Sequence, residues 1–313
     1  MDLQDKLEPL IIFSAIIIGL LLSNINIIAQ NTDYLINIFL CLMLFGVFLE
    51  VPLSELKDSF KNHKYTTTSL LINFIWTPLF GYFIGNLFLK GNIDILIGFF
   101  MLILTPCTDW YLVFTNIAKG DVKLNLSILP INLIVQIVLL PIYLIIFFST
   151  TNTLDYMQLI NSLVVVIIIP LLAASLVKII SNNSIKEKIT NTFSNFETIF
   201  LALAVVCIFA SQANLLFTNL DSVLPIFIPL ILFFTVNFTI DYLISKKITF
   251  TYEEYASLTM TTLARNSPLA LAIAINSFPT HELIAIALVI GPLIELPVLY
   301  IVSQICLKLK NKF

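Results

Sequence analysis

Residues 252–277 read YEEYASLTMTTLARNSPLALAIAINS, an apolar stretch interrupted at its centre by the polar segment Ala264-Arg265-Asn266-Ser267-Pro268. Arg265 is the only arginine of the 313-residue chain, and the lysines lie at or beyond the ends of hydrophobic runs. A guanidinium group stays protonated, so within a bilayer it must face protein or water and have a partner. Proline removes a backbone donor and interrupts a helix. The stretch therefore predicts a membrane helix broken at a buried charge.

The composition is that of an integral membrane protein. Hydrophobic residues make up 59% of the chain and charged residues 11%, whereas a soluble domain carries about 25% charged residues. The acidic N-terminal residues precede an apolar run without a small-residue cleavage site, which predicts a first span rather than a signal peptide.

Several functional classes are disfavoured by the sequence. The net charge of −3 and the lack of a basic patch outside the loop lysines argue against nucleic-acid binding. A phosphate-binding Gly-Lys-Ser/Thr loop is missing, which excludes a primary pump. No intramembrane-protease or metalloprotease motif is found, so we expect neither an enzyme nor a cofactor. A channel stays open as an alternative, and conductance far above carrier rates would identify it.

Ten apolar runs are long enough to cross a bilayer, which takes roughly 20 residues. They cover residues 9–28, 34–53, 66–88, 94–118, 123–148, 155–178, 193–213, 222–245, 252–277 and 282–307. Placing the loops alternately on two sides puts fourteen lysines on one side and only Lys90 on the other. Because lysine-rich loops stay in the cytoplasm, both termini are predicted to be cytoplasmic, in the cell (plasma) membrane.

A spacing of 32 residues between a charge and a proline recurs in both halves, from Asp109 to Pro141 and from Arg265 to Pro297. The two pairs are 156 residues apart, an offset that also superimposes the ten spans. Since five spans per half is an odd number, the second copy would be inverted, as in many secondary transporters. A chance coincidence of prolines is the alternative. The predicted five-helix repeats are residues 1–150 and 151–313.

The fourth and ninth spans correspond under this offset, and both carry a polar, proline-containing break. The fourth reads Thr105-Pro106-Cys107-Thr108-Asp109, and the ninth reads Arg265-Asn266-Ser267-Pro268. Freed backbone groups are tolerated at membrane depth only against protein or a wet cavity. We therefore expect two broken helices that cross in mid-membrane and form a small polar site. Two proline kinks without a ligand are the alternative.

Five short motifs connect the chain to a known superfamily. They are Thr105-Pro106-Cys107-Thr108, Ala118-Lys119-Gly120-Asp121, Asn266-Ser267-Pro268-Leu269-Ala270-Leu271-Ala272, Gly291-Pro292-Leu293-Ile294-Glu295-Leu296-Pro297-Val298, and Asn73 five residues before Pro78. In these motifs the sequence resembles the bile acid:sodium symporters, and most of all their arsenical-resistance branch of arsenite permeases. The motifs cover spans three to five and nine to ten.

This resemblance implies an all-α membrane protein of ten helices, arranged as a panel domain and a core domain, that works by alternating access. It implies that Cys107 stands at the functional cysteine of arsenite permeases and Glu295 at their last-span glutamate. It also implies export of trivalent arsenic, generally against protons, with Cys107 as a transient arsenic ligand. The sequence makes no prediction of oligomeric state.

The chain departs from the sodium-coupled members of the superfamily near the breaks. A glutamate and a glutamine of the ninth span are replaced by Thr261 and Arg265, and two hydroxyl positions of the fifth span hold Asn125 and Leu129. A sodium site needs several oxygen ligands and net negative charge. Our hypothesis is that the guanidinium group of Arg265 fills the space of a sodium ion, so that transport does not require sodium.

The charged candidates allow two interpretations. Arg265 is expected to pair with Asp109, which then stays ionised; the pair either locks the helix crossing or exchanges partners during transport. Glu295, which has no basic neighbour in the sequence, is either a proton relay or a hydrogen-bonded structural acid. Asp241 lies near a span end and is expected to be interfacial.

The polar candidates are hydroxyl, amide and thiol side chains near the breaks. Thr108, Asn266 and Ser267 can cap half-helices or donate to substrate oxygens, and Cys107 is either an arsenic ligand or a small packing residue. Amide side chains on the third and fifth spans are expected to lie beside the breaks, either as substrate contacts or as interhelical hydrogen bonds. These amides are Asn73, Asn125, Asn132 and Gln136.

Two functions are left open within this architecture. The first is export of a small metalloid or oxyanion, with arsenite as the prediction. The second is sodium- or proton-coupled uptake of an organic anion, with Arg265 as the anchor of its carboxylate. Independently of function, Gly81 and Gly85 form a small-xxx-small pattern that predicts close helix packing.

Overall fold

The computed structural model describes residues 3–23, 32–50, 61–108, 110–149, 156–180 and 183–313. This part of the chain is helical, and its one non-helical pairing is an isolated antiparallel bridge. The helices are α1 (Leu3–Leu22), α2 (Thr32–Glu50), α3 (His63–Leu89), α4 (Ile93–Leu104), α5 (Trp110–Ile117), α6 (Val122–Phe148), α7 (156–180), α8 (Asn183–Thr218), α9 (Leu220–Lys247), α10 (Tyr252–Leu263), α11 (Ser267–Ser277) and α12 (Glu282–Leu309).

The helices confirm a multi-pass membrane protein. Six of them, α3, α6, α7, α8, α9 and α12, contain segments long and apolar enough to cross a bilayer, and shorter apolar helices lie in α1, α2, α4 and α11. Large apolar side chains such as Phe83, Ile146 and Ile179 are 62–79% exposed, which suits contact with lipid rather than water. Residues 24–28 and 51–53 of the first two predicted spans lie outside the described residues.

Helix α3 contains a π-helical turn, Ile72–Trp76. Pro78 lies two residues after this turn and has no N–H to donate to the carbonyl of Phe74, four residues earlier. That carbonyl instead accepts a hydrogen bond from the hydroxyl of Tyr143 on α6. The widened turn places Asn73 in the interior, where it is 0% exposed. Single π turns of this kind often lie at functional sites.

The chain divides into two compact units, each of which takes segments from both halves of the sequence. The first unit comprises Met1–Val51, Ser149–Val223 and Pro268–Val289, and the second comprises Pro52–Phe148, Leu224–Ser267 and Ile290–Phe313. A division by contacts does not bear on a sequence duplication, so the repeats 1–150 and 151–313 stay a prediction.

In the first unit, α1 and α2 both pack against the long helix α8. The approach of α1 is close at Gly19, since a Cβ there would lie 2.7 Å from the Cβ of Phe209. A polar contact joins α11 to α2, where Asn276 Nδ2 donates to Asn37 Oδ1 at 2.7 Å.

In the second unit, α3 packs closely against α4 through the two glycines of the small-xxx-small pattern. A Cβ on Gly81 would lie 1.9 Å from Cδ1 of Ile103, and one on Gly85 would lie 2.6 Å from Cδ1 of Leu96. The predicted packing role of both glycines is thereby confirmed. The contact matters for the site because it positions the C-terminal end of α4.

We expect Gly81→Ala to destabilise the protein by about 1–3 kcal/mol, the usual cost of overpacking a close helix contact. The measurement is thermal unfolding of the purified protein in detergent. Gly91→Ala is the matched control, because a Cβ at Gly91 meets nothing within 4 Å. Adding Ile103→Val removes the clashing methyl group and should restore much of the stability; a Gly81→Ala variant as stable as the control would contradict the close contact.

Candidate functional site

Both predicted helix breaks are present in the second unit. Helix α4 ends at Leu104 and α5 begins at Trp110, while α10 ends at Leu263 and α11 begins at Ser267. The backbone turns extended at the first residue of each break, with φ −105° and ψ 96° at Thr105 and φ −70° and ψ 136° at Ala264. Asp109, in the first break, lies outside the described residues.

The two breaks pair with each other through their backbones. The main-chain N–H of Cys107 donates to the carbonyl of Ala264 at 3.0 Å, and that of Asn266 donates to the carbonyl of Thr105 at 2.6 Å. Pro106 and Arg265 face each other in the resulting antiparallel bridge. Backbone groups that leave a helix inside a membrane protein need partners, and here each break supplies them to the other.

The guanidinium group of Arg265 lies in the interior beside this bridge and is 2% exposed. Its NH1 donates to the carbonyl of Ile103 at 2.8 Å, its NH2 donates to Asn73 Oδ1 at 3.0 Å, and its central carbon lies 5.0 Å from the ring centroid of Phe233. Ile103 is in the last turn of α4, where carbonyls lack helical partners and carry partial negative charge. The arginine therefore caps the half-helix that precedes the opposite break.

Glu295, on α12, is the carboxylate that hydrogen-bonds to Arg265 in the described structure. Its Oε1 accepts the main-chain N–H of Arg265 at 2.7 Å, and the residue is 3% exposed. The carboxylate and the guanidinium group also interact electrostatically. The expected partner, Asp109, is outside the described residues, so that pairing stays a prediction.

Asp241, which lies near the end of a predicted span, is completely buried in the described structure, while its predicted depth at the membrane interface stays a prediction. It is 0% exposed, its Oδ2 lies 2.6 Å from Thr262 Oγ1, and it interacts electrostatically with Arg265. The reason is that α9 continues to Lys247 and packs against α10 along this face. The polar row Asn237, Asp241 and Ser245, spaced four residues apart, was the sequence signal for a buried face.

Asn73 and Asn125 connect helices within the second unit. Asn73 Nδ2 donates to the carbonyl of Thr261, in the last turn of α10, at 3.3 Å. Asn125 accepts from the hydroxyl of Tyr65 and donates from Nδ2 to Thr115 Oγ1 at 2.7 Å and to the carbonyl of Ser257 at 3.1 Å. The amide of Asn125 is thus engaged with three neighbouring helices.

Two further amides on α6 have polar atoms without partners. Asn132 Nδ2 donates to Thr261 Oγ1 at 3.3 Å, which places it beside the end of α10. Asn132 Oδ1 and both polar atoms of Gln136 are buried and have no hydrogen-bond partner within the described ranges. Leaving such groups unpaired is costly, so this point is suited to a bound polar molecule.

The remaining predicted site residues are buried around the paired breaks. Asn266 Nδ2 donates to Thr108 Oγ1 at 3.2 Å, which links one break to the other. Ser267 begins α11 and is 4% exposed. Cys107 is also 4% exposed, and its main-chain bond to Ala264 places it next to Arg265 in the paired breaks. In the part of the chain that the structure describes, no group of three or more His, Cys, Asp or Glu residues is arranged to hold a metal ion.

Comparison with known proteins identifies the family of the chain. The profile of the Sodium Bile acid symporter family matches residues 37–219. The arsenical-resistance protein Acr3 of Corynebacterium glutamicum is 26% identical over 83% of this chain and 74% of its own length. Acr3 of Alkaliphilus metalliredigens is 26% identical over 88% of this chain and 82% of its length. An uncharacterized transporter of Synechocystis is 22% identical over 98% of this chain. Since the family profile covers more than half of the sequence, the chain belongs to the sodium bile acid symporter family.

Proposed function

We propose that the protein is a secondary active transporter that exports arsenite by alternating access, coupled to protons and independent of sodium. The observation that carries the proposal is the pair of broken helices, whose linked backbones gather a thiol, a guanidinium group and a carboxylate in one buried place. Similarity to two arsenical-resistance proteins over most of the chain supports arsenite as the substrate.

The substrate chemistry fits the groups around the breaks. Undissociated arsenite carries three hydroxyl groups on a thiophilic arsenic atom. The thiol of Cys107 can displace one hydroxyl group, forming a sulfur–arsenic bond while the hydroxyl leaves with the thiol proton as water. The unpartnered Oδ1 of Asn132, which lies beside the end of α10, can then accept from a remaining hydroxyl group. One thiol gives a reversible bond, which suits a carrier that must release its substrate.

Arg265 has two roles in this proposal. Its hydrogen bonds hold neighbouring helices together, and its positive charge takes the place of a coupling cation. Both of its terminal nitrogens are held by protein acceptors, Ile103 O and Asn73 Oδ1. A bidentate grip on an organic carboxylate would have to break or share these bonds, which argues against the organic-anion alternative. A permanent positive charge beside the breaks also repels sodium. Glu295, which accepts a hydrogen bond from the main-chain N–H of Arg265, is the candidate for relaying the coupled proton.

The proposed architecture has ten transmembrane helices in two inverted five-helix repeats, residues 1–150 and 151–313. The second compact unit would be the substrate-carrying core domain and the first the panel domain. Both termini would lie in the cytoplasm of a cell expressing the protein in its plasma membrane, as the lysine distribution indicates. The protein would act as a carrier for a small molecule and not as an enzyme.

The test is arsenite transport by purified protein in sealed lipid vesicles, with proton and sodium gradients imposed separately. We expect a pH difference to drive arsenite movement and replacement of sodium by choline to leave the rate unchanged. Protein-free vesicles give the background, since undissociated arsenite carries no charge. Transport that collapses in choline would refute sodium independence, and no arsenite movement under any gradient would refute the substrate.

A further inference from the structure

Three acceptor oxygens surround the hydroxyl group of Thr262, which has only one hydrogen to donate. Thr262 Oγ1 lies 2.6 Å from Asp241 Oδ2, 2.9 Å from the carbonyl oxygen of Leu258 and 3.2 Å from that of Thr259. A threonine hydroxyl has one hydrogen, and carbonyls and ionised carboxylates only accept. A protonated Asp241 satisfies the geometry, since it donates to Thr262 Oγ1 and leaves the threonine hydrogen for the carbonyl of Leu258.

The surroundings of Asp241 do not stabilise an ionised carboxylate. The residue is 0% exposed, and its Oδ1 is buried without a hydrogen-bond partner among the residues described. An ionised carboxylate normally binds several donors, and burying one with a single donor is strongly unfavourable. A neutral carboxylic acid has a much smaller desolvation cost.

The charges of the second unit lead to the same assignment. Arg265 interacts electrostatically with two buried carboxyl groups, those of Glu295 and Asp241. One guanidinium group balances one carboxylate, so ionising both acids would leave excess negative charge in the interior. Glu295 accepts a backbone N–H, a bond that an ionised acceptor strengthens. This bond favours Glu295 as the ionised acid and Asp241 as the neutral one.

Among the described residues, the other titratable groups that interact with Asp241 do not supply a second positive charge. Those that interact with it electrostatically, besides Arg265, are Tyr65 on α3, Tyr255 on α10 and Cys306 on α12. All three side chains are neutral when protonated and negative when deprotonated, so none of them can be a cation. The nearest cations on its own helix are Lys246 and Lys247, which are exposed at the end of α9.

A polar row on α9 provides a route for the proton. Asn237, Asp241 and Ser245 lie on one face, one helical turn apart, and each is 0% exposed. Each has a buried polar atom with no partner in the described structure, namely Asn237 Nδ2, Asp241 Oδ1 and Ser245 Oγ. Ser245 stands closest to the lysine-bearing end of the helix, so water entering there would reach Asp241 first through this residue.

We propose that Asp241 is a proton-binding residue of the transport cycle, and that it holds its proton in the conformation described. The proton lies on Oδ2 and is donated to Thr262 Oγ1; on release, the threonine hydroxyl turns to donate to the ionised carboxylate. Thr262 precedes the break by two residues, and Asp241 interacts electrostatically with Arg265. A change in the charge of Asp241 therefore acts on the arginine of the break. The coupling to transport rests on the proposed function, whereas the site of the proton does not.

The proton itself is tested by infrared spectroscopy of the purified protein without substrate. The wild-type protein should show the carbonyl band of a buried, protonated carboxylic acid. Asp241→Asn should remove this band, while Glu295→Gln and the exposed control Asp121→Asn should keep it. A wild-type protein without the band, or a band that is lost in Glu295→Gln and kept in Asp241→Asn, would overturn the assignment.

A second variant tests the assignment even if the Asp241→Asn protein folds poorly. Thr262→Val removes the hydrogen-bond partner but keeps the acid, so the band should shift in frequency and remain. An unshifted band in Thr262→Val would place the proton elsewhere and overturn the proposal.

The coupling is tested with arsenite in sealed vesicles. A pH difference of one unit supplies about 1.4 kcal/mol per proton, enough for about tenfold accumulation with one-proton coupling. Asp241→Asn should retain measurable exchange of labelled arsenite across the membrane and lose the tenfold accumulation. Full accumulation by Asp241→Asn would overturn the coupling role. If the wild-type protein neither exchanges nor accumulates arsenite, the proposed function fails, and the infrared result still decides the protonation of Asp241.

Discussion

Arg265→Gln is expected to lower the free energy of unfolding by about 3–5 kcal/mol, the usual cost of removing one partner from a buried charge cluster. The substitution removes the donors to Ile103 O and Asn73 Oδ1. It also leaves the buried carboxylate of Glu295 without the cation that balances it. Thermal unfolding in detergent measures the loss, and we expect the melting temperature to fall by about 10 °C.

Two further substitutions separate charge from geometry. Arg265→Lys keeps the positive charge but lacks the planar fork that reaches both acceptors, so its stability should fall between those of the wild type and Arg265→Gln. Combining Arg265→Gln with Glu295→Gln neutralises both charges and should recover part of the lost stability. Lys90→Gln, at the exposed end of α3, is the control and should change nothing. If Arg265→Gln unfolds at the wild-type temperature, the arginine does not join the breaks as described.

Cys107→Ser is expected to abolish arsenite resistance in a sensitive host and to reduce arsenite transport in vesicles by about tenfold or more, or about 1.4 kcal/mol of lost substrate stabilisation. The reason is that a hydroxyl group replaces the thiol without changing the size of the side chain greatly, and oxygen binds trivalent arsenic without the preference shown by sulfur. The backbone bond from residue 107 to the carbonyl of Ala264 stays available, so the breaks should remain paired.

The control for this experiment is another buried thiol. Cys207 is 7% exposed and lies on α8, in the first unit. Cys207→Ser should keep resistance and transport, while both variants should have similar unfolding temperatures. Full resistance with Cys107→Ser would exclude the thiol as an arsenic ligand. An equal loss in both variants would mean that the defect comes from burying a hydroxyl group and not from arsenic chemistry.

The sequence alone determined the membrane class, the apolar helical character of the described segments and the two breaks, because these depend on local properties. Long apolar runs need no knowledge of neighbours to be identified as spans. Proline and polar residues such as those at 264–268 interrupt a helix wherever it packs. The break in the fourth span was found for the same reason, although its aspartate lies outside the described residues.

Only the tertiary structure decided which groups meet at the breaks. Arg265 bonds to Ile103 and Asn73, which are 162 and 192 residues away in the sequence, and a spacing pattern carries no information about such pairs. The burial of Asp241 does not follow from its position near a span end, because its exposure depends on the helix that covers it. Burial and charge balance arise from several helices at once, and the protonation proposed for Asp241 could be inferred only after those helices were placed together.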